Sequence, residues 1–305
     1  MKQKPRVRIF RLLQLLAIAY LVVLLVALIF QRRLLYFPTR IPAEVVESVA
    51  REHGFSPWRN PGGQIIGWKL PAAGVATGSV LIVHGNAGCA VGRDYLAQPI
   101  HAAGSVDVFV LEYPGYGARS GTPSRASIMA AAEEAFQLLP ARQKKFLVSE
   151  SIGTGVACEL AARHWDEVAG MVLFVPYANL AAVAQRRMPF LPAYLLLLDR
   201  FHPAASLRDY HGPIQFVIAG ADEILGSAAG QALYDGYGGP KQRLEISGAG
   251  HNEVAAQSAD WWKGVFSFWR SAGGVGRHLQ TEPDGGKEEG GGRRPGVSAG
   301  DGGQQ

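Results

Sequence analysis

The sequence predicts an α/β fold built on a doubly wound, mostly parallel sheet and preceded by one transmembrane helix. Strand and helix patterns alternate along the chain from about residue 62, which is the arrangement of α/β domains. Most of the predicted strands are nearly continuous apolar runs, as is typical of a parallel sheet covered by helices on both faces. A long apolar run near the N-terminus supplies the transmembrane helix.

The apolar run Leu12–Phe30 has the length of a membrane span. It contains 19 residues and one polar member, Gln14, and a run of that length crosses the hydrocarbon core of a bilayer as a helix. A cleaved signal peptide is the alternative, but its apolar core is shorter, and this run continues well past the small residues Ala17 and Ala19. We therefore interpret it as a retained anchor and expect Tyr36 at the membrane surface.

The basic charge of the chain belongs to its N-terminus. The net charge is +5, but residues 1–40 carry eight basic and no acidic side chains, which leaves −3 for residues 41–305. Five basic residues precede the apolar run, so the positive-inside rule predicts a cytoplasmic N-terminus and a domain on the non-cytoplasmic side, periplasmic or lumenal. Because no basic stripe with interleaved aromatic residues occurs, nucleic-acid binding is not expected.

The chain divides into three predicted regions. Residues 1–33 form the basic segment and the anchor, and residues 34–272 form the folded domain. Residues 273–305 are Gly-rich and polar, lack apolar residues that could pack, and are expected to be disordered. Within the domain, the aromatic stripe of Trp262, Phe266 and Trp269 recurs at helical spacing and predicts the core face of the last helix.

The hydrophobic periodicity gives the individual elements. Strands are predicted at Gln64–Lys69, Ser79–Val83, Val106–Tyr113, Phe146–Ser149, Met171–Val175, Ile214–Ala219 and Arg243–Ile246. Helices are predicted at Arg93–Ala103, Ser124–Leu139, Val156–Trp165, Ala181–Arg200, Ala228–Tyr237 and Val254–Ser271.

The stretch around Ser151 has the pattern of a nucleophile elbow, in which strand, tight turn, serine and helix follow one another. Strand and helix nearly touch there, so the residues two before and two after the serine must be small. They are Ser149 and Gly153. Ser149 stands where Gly is usual, and a backbone hydrogen bond of its hydroxyl could offset part of the crowding. An ordinary strand-to-helix loop is the alternative for this pattern alone.

A serine nucleophile needs a base, and the base needs an orienting carboxylate. Asp222 follows the predicted strand Ile214–Ala219, and His251 follows the predicted strand Arg243–Ile246. Functional residues of open α/β sheets collect at the carboxyl ends of the strands. The order Ser, Asp, His, each after its own strand, is that of α/β-hydrolases. The sequence therefore predicts Ser151, Asp222 and His251 as a catalytic triad.

Attack of a serine on a carbonyl produces an oxyanion, which preorganised backbone N–H groups must stabilise. One donor is expected at Ile152, directly after the nucleophile. The other is expected at Asn86, in the Gly-flanked loop His84–Gly88 that follows a strand. For His84 itself a structural hydrogen bond is the simpler interpretation.

Other polar residues near these motifs receive structural interpretations. Glu223 adjoins Asp222, but one step along the chain points its side chain elsewhere, so it ranks below Asp222 as the orienting carboxylate. Glu150 precedes the nucleophile and is interpreted as structural. Cys89 and Cys158 are too few for a disulfide framework and fit buried small apolar positions. No Cys/His pair has zinc-site spacing, so neither a metal nor a cofactor is expected.

Six motifs, in order, cover nearly the whole chain between the anchor and the tail: LYFPTR at 35–40, HGNAG at 84–88, EYPGYGARSGTPS at 112–124, SESIGTGVA at 149–157, ADEIL at 221–225 and GAGHNE at 248–253. In them the chain resembles membrane-anchored α/β-hydrolases of the BEM-related, abhydrolase-domain type. The resemblance implies the α/β-hydrolase fold, a short helical cap at about 178–212, and serine hydrolase activity on acyl esters or thioesters. The chain departs from the family at Ser149, and at Gly226, where Pro is common.

Two classes of function remain open. The leading hypothesis is a membrane-anchored serine hydrolase that cleaves carboxylic ester or thioester acyl groups, with lipids among the candidate substrates. The alternative is a catalytically silent fold used as a binding or scaffold protein, of which Ser149 would be a symptom; a peptidase is a third option without a visible recognition domain. The apolar segment Met188–Leu198 of the cap either lines an acyl pocket near the membrane or covers the sheet as a helix.

Overall fold

The structure is a computed structural model that describes residues 5–275. Of the tail predicted at 273–305, the first three residues belong to the last helix, so the expected disorder is wrong there, and the other residues lie outside this range. The strands are β1 (Phe37–Pro38), β2 (Ser56–Arg59), β3 (Ile65–Leu70), β4 (Gly78–Val83), β5 (Ala87–Gly88), β6 (Val106–Leu111), β7 (Lys144–Glu150), β8 (Val168–Phe174), β9 (Ile214–Ala219) and β10 (Lys241–Ile246). The helices are α1 (Pro5–Leu35), α2 (Ala43–Glu52), α3 (Asp94–Ala103), α4 (Arg125–Gln137), α5 (Gly153–Arg163), α6 (Leu180–Arg187), α7 (Ala193–Leu196), α8 (Pro203–Ser206), α9 (Ser227–Gly236) and α10 (Ala259–Val275).

Eight strands form the central sheet in the order β10-β9-β8-β7-β4-β6-β3-β2. The six strands from β10 to β6 in this order pair in parallel, and β3 and β2 add antiparallel pairs at one edge. This confirms the predicted doubly wound, mostly parallel sheet. The seven predicted strands all form, with ends that shift by at most three residues.

Alternate residues of the central strands enter two separate buried clusters, one on each face of the sheet. Leu81 and Leu147 pack with α4 and α5 on one face. Ile82 and Val148 pack with α3 and α10 on the other. The aromatic stripe of α10 lies in the second cluster, where Trp262 is fully buried, so the prediction that it forms the core face of the last helix is confirmed.

Two predicted helices differ from the structure because of local backbone chemistry. The helix predicted at Ala181–Arg200 is wrong as a single element. It divides into α6 and α7, because Pro189 and Pro192 lack an N–H and disfavour a helical residue before them. The last helix begins at Ala259 rather than at the predicted Val254. The residue before it, Ser258, caps its first turn, because the Ser258 hydroxyl accepts a hydrogen bond from the Trp261 N–H at 3.2 Å.

The N-terminal helix α1 is 31 residues long, and its segment Arg8–Leu35 is long and apolar enough to span a membrane. One residue later the chain enters β1, which pairs in parallel with β5. The Tyr36 side chain between them is 3% exposed and packs in the protein core. The expectation that Tyr36 lies at the membrane surface is therefore wrong.

The segment between β8 and β9, where the cap is predicted at 178–212, contains α6, α7 and α8. Its apolar residues pack against the end of α1 and leave a groove of about 110 Å³ lined by Ala27, Leu34, Leu191 and Leu196 among others. The Met188–Leu198 segment thus neither covers the sheet as one helix nor lines the cleft that holds Ser151.

Candidate active site

Ser151 lies in a sharp turn between β7 and α5. Its φ of +50° is in the left-handed region, which is uncommon for a residue other than glycine. The Ser151 N–H donates to Phe174 O at 3.0 Å, which ties the turn to the neighbouring strand β8. A Cβ on Gly153 would come within 2.4 Å of Val83 O, so no larger residue fits two positions after the serine. This geometry is the one expected of a nucleophile elbow.

Ser149 fills the position two before the serine. It is fully buried in β7, where it pairs with Val83 on one side and Leu173 on the other. Among the described residues its hydroxyl has no hydrogen-bond partner. The suggestion that a backbone hydrogen bond offsets the crowding at this position is therefore wrong.

His251 and Asp222 meet at the ends of two neighbouring parallel strands, β10 and β9. The Nδ1 of His251 lies 2.9 Å from Oδ2 of Asp222, and both side chains are at most 5% exposed. The other carboxylate oxygen accepts hydrogen bonds from the N–H groups of Ile224 at 2.9 Å and Leu225 at 2.7 Å. Every oxygen of this carboxylate therefore has a donor.

These contacts decide the ionisation of Asp222. Burial is the largest single influence and raises the pKa of its carboxyl group, but the hydrogen bonds from His251, Leu225 and Ile224 together outweigh it. The net result is a pKa below the ordinary value of 3.8. Asp222 is thus a carboxylate at neutral pH and can hold the imidazole only by accepting a hydrogen bond from the Nδ1–H.

The neighbouring carboxylate, Glu223, makes a different contact. Its Oε2 accepts a hydrogen bond from the backbone N–H of His251 at 3.1 Å, so it holds the loop rather than the ring. Hydrogen bonds from backbone N–H groups, its own first and then that of His251, lower the pKa of Glu223. The geometry favours Asp222 over Glu223 as the residue that orients the imidazole.

Ser151 and His251 line one cleft of about 300 Å³ at the carboxyl edge of the sheet. Asp222 is not among the lining residues and lies behind the imidazole. The loop after β4 forms another wall of the cleft, with Asn86 at its centre. The remaining lining residues are Gly85, Ala87, Gly88, Arg93, Tyr95, Glu150, Val175, Asn252 and Ala255.

The two expected oxyanion donors, Ile152 and Asn86, belong to different loops. Ile152 follows Ser151 at the N-terminus of α5, where backbone N–H groups are free of intrahelical acceptors. Asn86 lies in the cleft wall. Within residues 5–275, neither backbone N–H donates a hydrogen bond. Both are therefore available to a ligand oxygen, the condition for an oxyanion hole.

The fold and the motif order can be compared with known proteins. The family model described as "alpha/beta hydrolase fold" matches residues 78–201. An uncharacterised protein of Mycobacterium tuberculosis is 32% identical over 232 residues, which cover 73% of this chain and 81% of that protein. The chain belongs to the alpha/beta hydrolase fold family. The human alpha/beta hydrolase domain-containing protein 17B is 28% identical over 184 residues, covering 58% of this chain and 61% of that protein.

Solved structures agree with this assignment at the level of the fold. An esterase of Pyrococcus furiosus superposes with a TM-score of 0.56 and 14% identity, covering 78% of this chain and 98% of that one. Est1E of Butyrivibrio proteoclasticus, solved with ferulic acid, superposes with a TM-score of 0.56 and 13% identity, covering 67% of this chain and 95% of that one.

This α/β-hydrolase-fold protein carries a polar network in the cleft that sequence reasoning missed. The Tyr95 hydroxyl donates to Glu150 Oε1 at 2.5 Å, and Arg93 Nε lies 2.8 Å from Glu150 Oε2. Arg93 also donates to Ala87 O at 2.7 Å and so ties the network to the loop after β4. Burial first, and the Glu150 carboxylate second, raise the pKa of Tyr95, which keeps the phenol protonated as a donor. The feature of the sequence that could have revealed this network is Glu150, a charged residue at the end of a buried strand.

Two further features of the hydrolase domain bear on the predicted residues. His84 is fully buried, and its Nδ1 lies 2.8 Å from Gly85 O, which supports the structural interpretation. Gly226 has a φ of +76°, a conformation that the ring of proline forbids. A proline at this position would therefore require a different backbone before α9.

Proposed function

We propose that the chain is a membrane-anchored serine hydrolase that cleaves carboxylic ester or thioester acyl groups through Ser151, His251 and Asp222. The observation that carries the proposal is the pairing of His251 with Asp222 at 2.9 Å, with His251 lining the same cleft as a serine that has a left-handed backbone. A strained residue in a cleft beside a paired imidazole is a feature of catalytic sites rather than of core packing.

The chemistry follows from the roles of the groups. Asp222 accepts a hydrogen bond from the Nδ1–H of His251, which fixes the tautomer and leaves Nε2 free as a base that removes the proton of the Ser151 hydroxyl. The serine oxygen attacks the acyl carbon, and the N–H groups of Ile152 and Asn86 stabilise the resulting oxyanion. His251 then gives its proton to the departing alcohol or thiol, and water hydrolyses the acyl-enzyme by the same steps.

In this proposal, the role of the anchor is to hold the catalytic domain at a membrane. A helix that can span a bilayer leads within one residue into the hydrolase domain. The excess of basic residues before the apolar run favours a cytoplasmic N-terminus and a non-cytoplasmic catalytic domain, periplasmic or lumenal. A substrate in or near the same membrane, such as an acylated lipid or an acylated protein, is consistent with this placement.

A fluorophosphonate probe tests the proposal, because it reacts only with an activated serine. The full-length protein in detergent should be labelled, and Ser151→Ala should abolish labelling and lower ester turnover by about 10⁴-fold or more. Ser149→Ala is the matched control, since Ser149 is a buried serine two residues away. It should leave the labelling in place.

Absence of labelling in a well-folded parent protein would refute the proposal and favour the silent scaffold. Retention of more than about a tenth of the turnover in Ser151→Ala would show that another residue is the nucleophile. The melting temperature of each variant, measured beside its labelling, separates loss of chemistry from loss of folding.

A further inference from the structure

Residues 188–198 of the cap lie against α1 and include the short helix α7; we call them the apolar cap loop. It carries no charged side chain, and charged residues flank it on both sides. Three of its large side chains face outward: Phe190 is 65% exposed, Leu195 77% and Leu198 58%. Apolar side chains exposed together in this way mark a surface that contacts something other than water. The flanking charged residues are Arg186, Arg187, Asp199 and Arg200.

The apolar cap loop runs alongside the apolar part of α1. The Tyr20 hydroxyl donates to Phe190 O at 2.8 Å. Eleven residues further along the helix, Gln31 Nε2 donates to Leu196 O at 3.1 Å, and the Leu198 N–H donates to Gln31 Oε1 at 2.7 Å. At about 1.5 Å per residue, these contacts extend over roughly 16 Å of the helix axis. The loop therefore lies at the depth of the predicted span, rather than beyond its end.

Most backbone polar groups of the apolar cap loop form hydrogen bonds within the protein. A loop in water does not require this, because water can bond to its backbone groups. Ten of its eleven carbonyl groups accept a hydrogen bond from the protein, all but that of Tyr194. Arg200 alone supplies three of these donors, to Leu195, Leu197 and Leu198. The two prolines of the loop have no N–H, and seven of the other nine residues donate theirs within the described part of the chain, all but Phe190 and Tyr194. Irregular backbone is tolerated at membrane depth only when its polar groups have such internal partners.

We propose that the apolar cap loop inserts into the hydrocarbon region of the bilayer beside α1. The inference rests on the proposed membrane anchoring of α1 and adds a second membrane-embedded element to it. Exposed apolar side chains, satisfied backbone and contact with the spanning helix together fit lipid as the medium around the loop. Arg186 and Arg187 before the loop and Asp199 and Arg200 after it show that charge returns to the chain directly on either side of the inserted segment.

Depth-dependent fluorescence quenching tests this in the full-length protein. A nitrobenzoxadiazole label is attached to Leu195→Cys, and the protein is reconstituted in phosphatidylcholine vesicles that carry doxyl groups on their acyl chains. The native Cys89 and Cys158 are buried, and the parent protein controls for their reaction. The matched control is Val75→Cys, an apolar residue 91% exposed in the turn before β4, at the opposite end of that strand from the active-site loop.

The label at Leu195→Cys should have blue-shifted emission and be quenched by the acyl-chain doxyl groups at least about twofold, whereas the label at Val75→Cys should be unaffected. Equal quenching at the two sites, or none at Leu195→Cys, would overturn the proposal. Blue-shifted emission that the doxyl groups do not quench, and that increases with the protein-to-lipid ratio, would show that a second copy of the chain covers the loop. That result would also overturn the proposal.

Two measurements on the same vesicles separate this inference from the proposed function. Flotation with the vesicles reports whether α1 anchors the chain, and a protein that does not float refutes both anchoring and loop insertion. Hydrolysis of a short soluble ester reports the proposed chemistry. Loss of hydrolysis with quenching intact refutes the hydrolase and leaves the inserted loop standing.

Discussion

At the scale of single residues, Ser149 is where the chain departs from the elbow pattern. Its side chain is fully buried on a strand that pairs with β4 and β8, and the hydroxyl has no partner among the described residues. A buried hydroxyl without a partner costs about 1–3 kcal/mol of desolvation. The position therefore tolerates serine because it is small, and nothing in its contacts indicates a chemical role.

We predict that Ser149→Ala raises the free energy of unfolding by about 1 kcal/mol and changes ester turnover by less than about threefold. The alanine keeps the Cβ and removes the unpaired oxygen. Ser149→Val is the contrasting variant, because a branched side chain overpacks the site and should lower both stability and turnover. Denaturant unfolding and ester hydrolysis measure the two effects. A loss in Ser149→Ala as complete as in Ser151→Ala would give Ser149 a part in the chemistry.

The two adjacent carboxylates, Asp222 and Glu223, should differ sharply on substitution. Asp222→Asn is expected to lower turnover by about 10⁴-fold, because an amide holds the imidazole of His251 in the wrong tautomer. Glu223→Gln keeps an acceptor for the His251 N–H and should cost less than about tenfold. Steady-state kinetics on a soluble ester compares them. If the Glu223 variant were the damaged one, the orienting carboxylate would be misassigned.

At the scale of elements, α1 and the cap share an ion pair. Arg32 Nε lies 3.0 Å from Asp199 Oδ2, and the Asp199 side chain is 5% exposed while that of Arg32 is half exposed. Removing the partner of a buried charge is costly, although the exposed side of this pair reduces the cost. The cap is therefore held to the helix by charge as well as by apolar packing.

We predict that deletion of residues 1–33 destabilises the domain and that Asp199→Asn restores part of the loss. The deletion leaves the Asp199 carboxylate without its guanidinium, at a cost of about 1–3 kcal/mol, and the amide removes the unpaired charge. The melting temperature of the truncated protein with and without the substitution measures the effect. The same substitution in the full-length chain should destabilise it. If Asp199→Asn lowered the melting temperature of both forms alike, the ion pair would contribute nothing to the docking of the cap.

The elements also show what sequence patterns can and cannot give. The long apolar strands and the residues after β7, β9 and β10 were predictable, because burial on both faces and position in the chain decide them. The short strands β1 and β5 were not, since two residues carry no periodicity and their pairing joins parts of the chain 50 residues apart. The break between α6 and α7 was readable from Pro189 and Pro192, which act locally.

At the scale of the whole molecule, the sequence predicted one N-terminal helix followed by one domain. The contacts between distant parts of the chain depend on packing and were not predicted. The apolar run and the charge excess at the N-terminus are sequence properties, and they indicate one helix and one domain. The burial of Tyr36, the Arg93–Glu150–Tyr95 network and the contact of the cap with α1 depend on which distant surfaces meet. No pattern within one element encodes those contacts.

The short connection between α1 and β1, which is bonded to the loop after β4, limits how far the domain can move relative to α1. One residue separates the helix from β1, and Asn86 donates from its side chain to Leu35 O while its own carbonyl accepts from the Phe37 N–H. The domain therefore has no flexible tether on which to swing. With α1 in a bilayer, the mouth of the cleft stays at one height above that membrane. The proposed membrane-anchored hydrolase would then act on molecules of its own membrane that extend to this height, and a facing membrane would lie beyond its range.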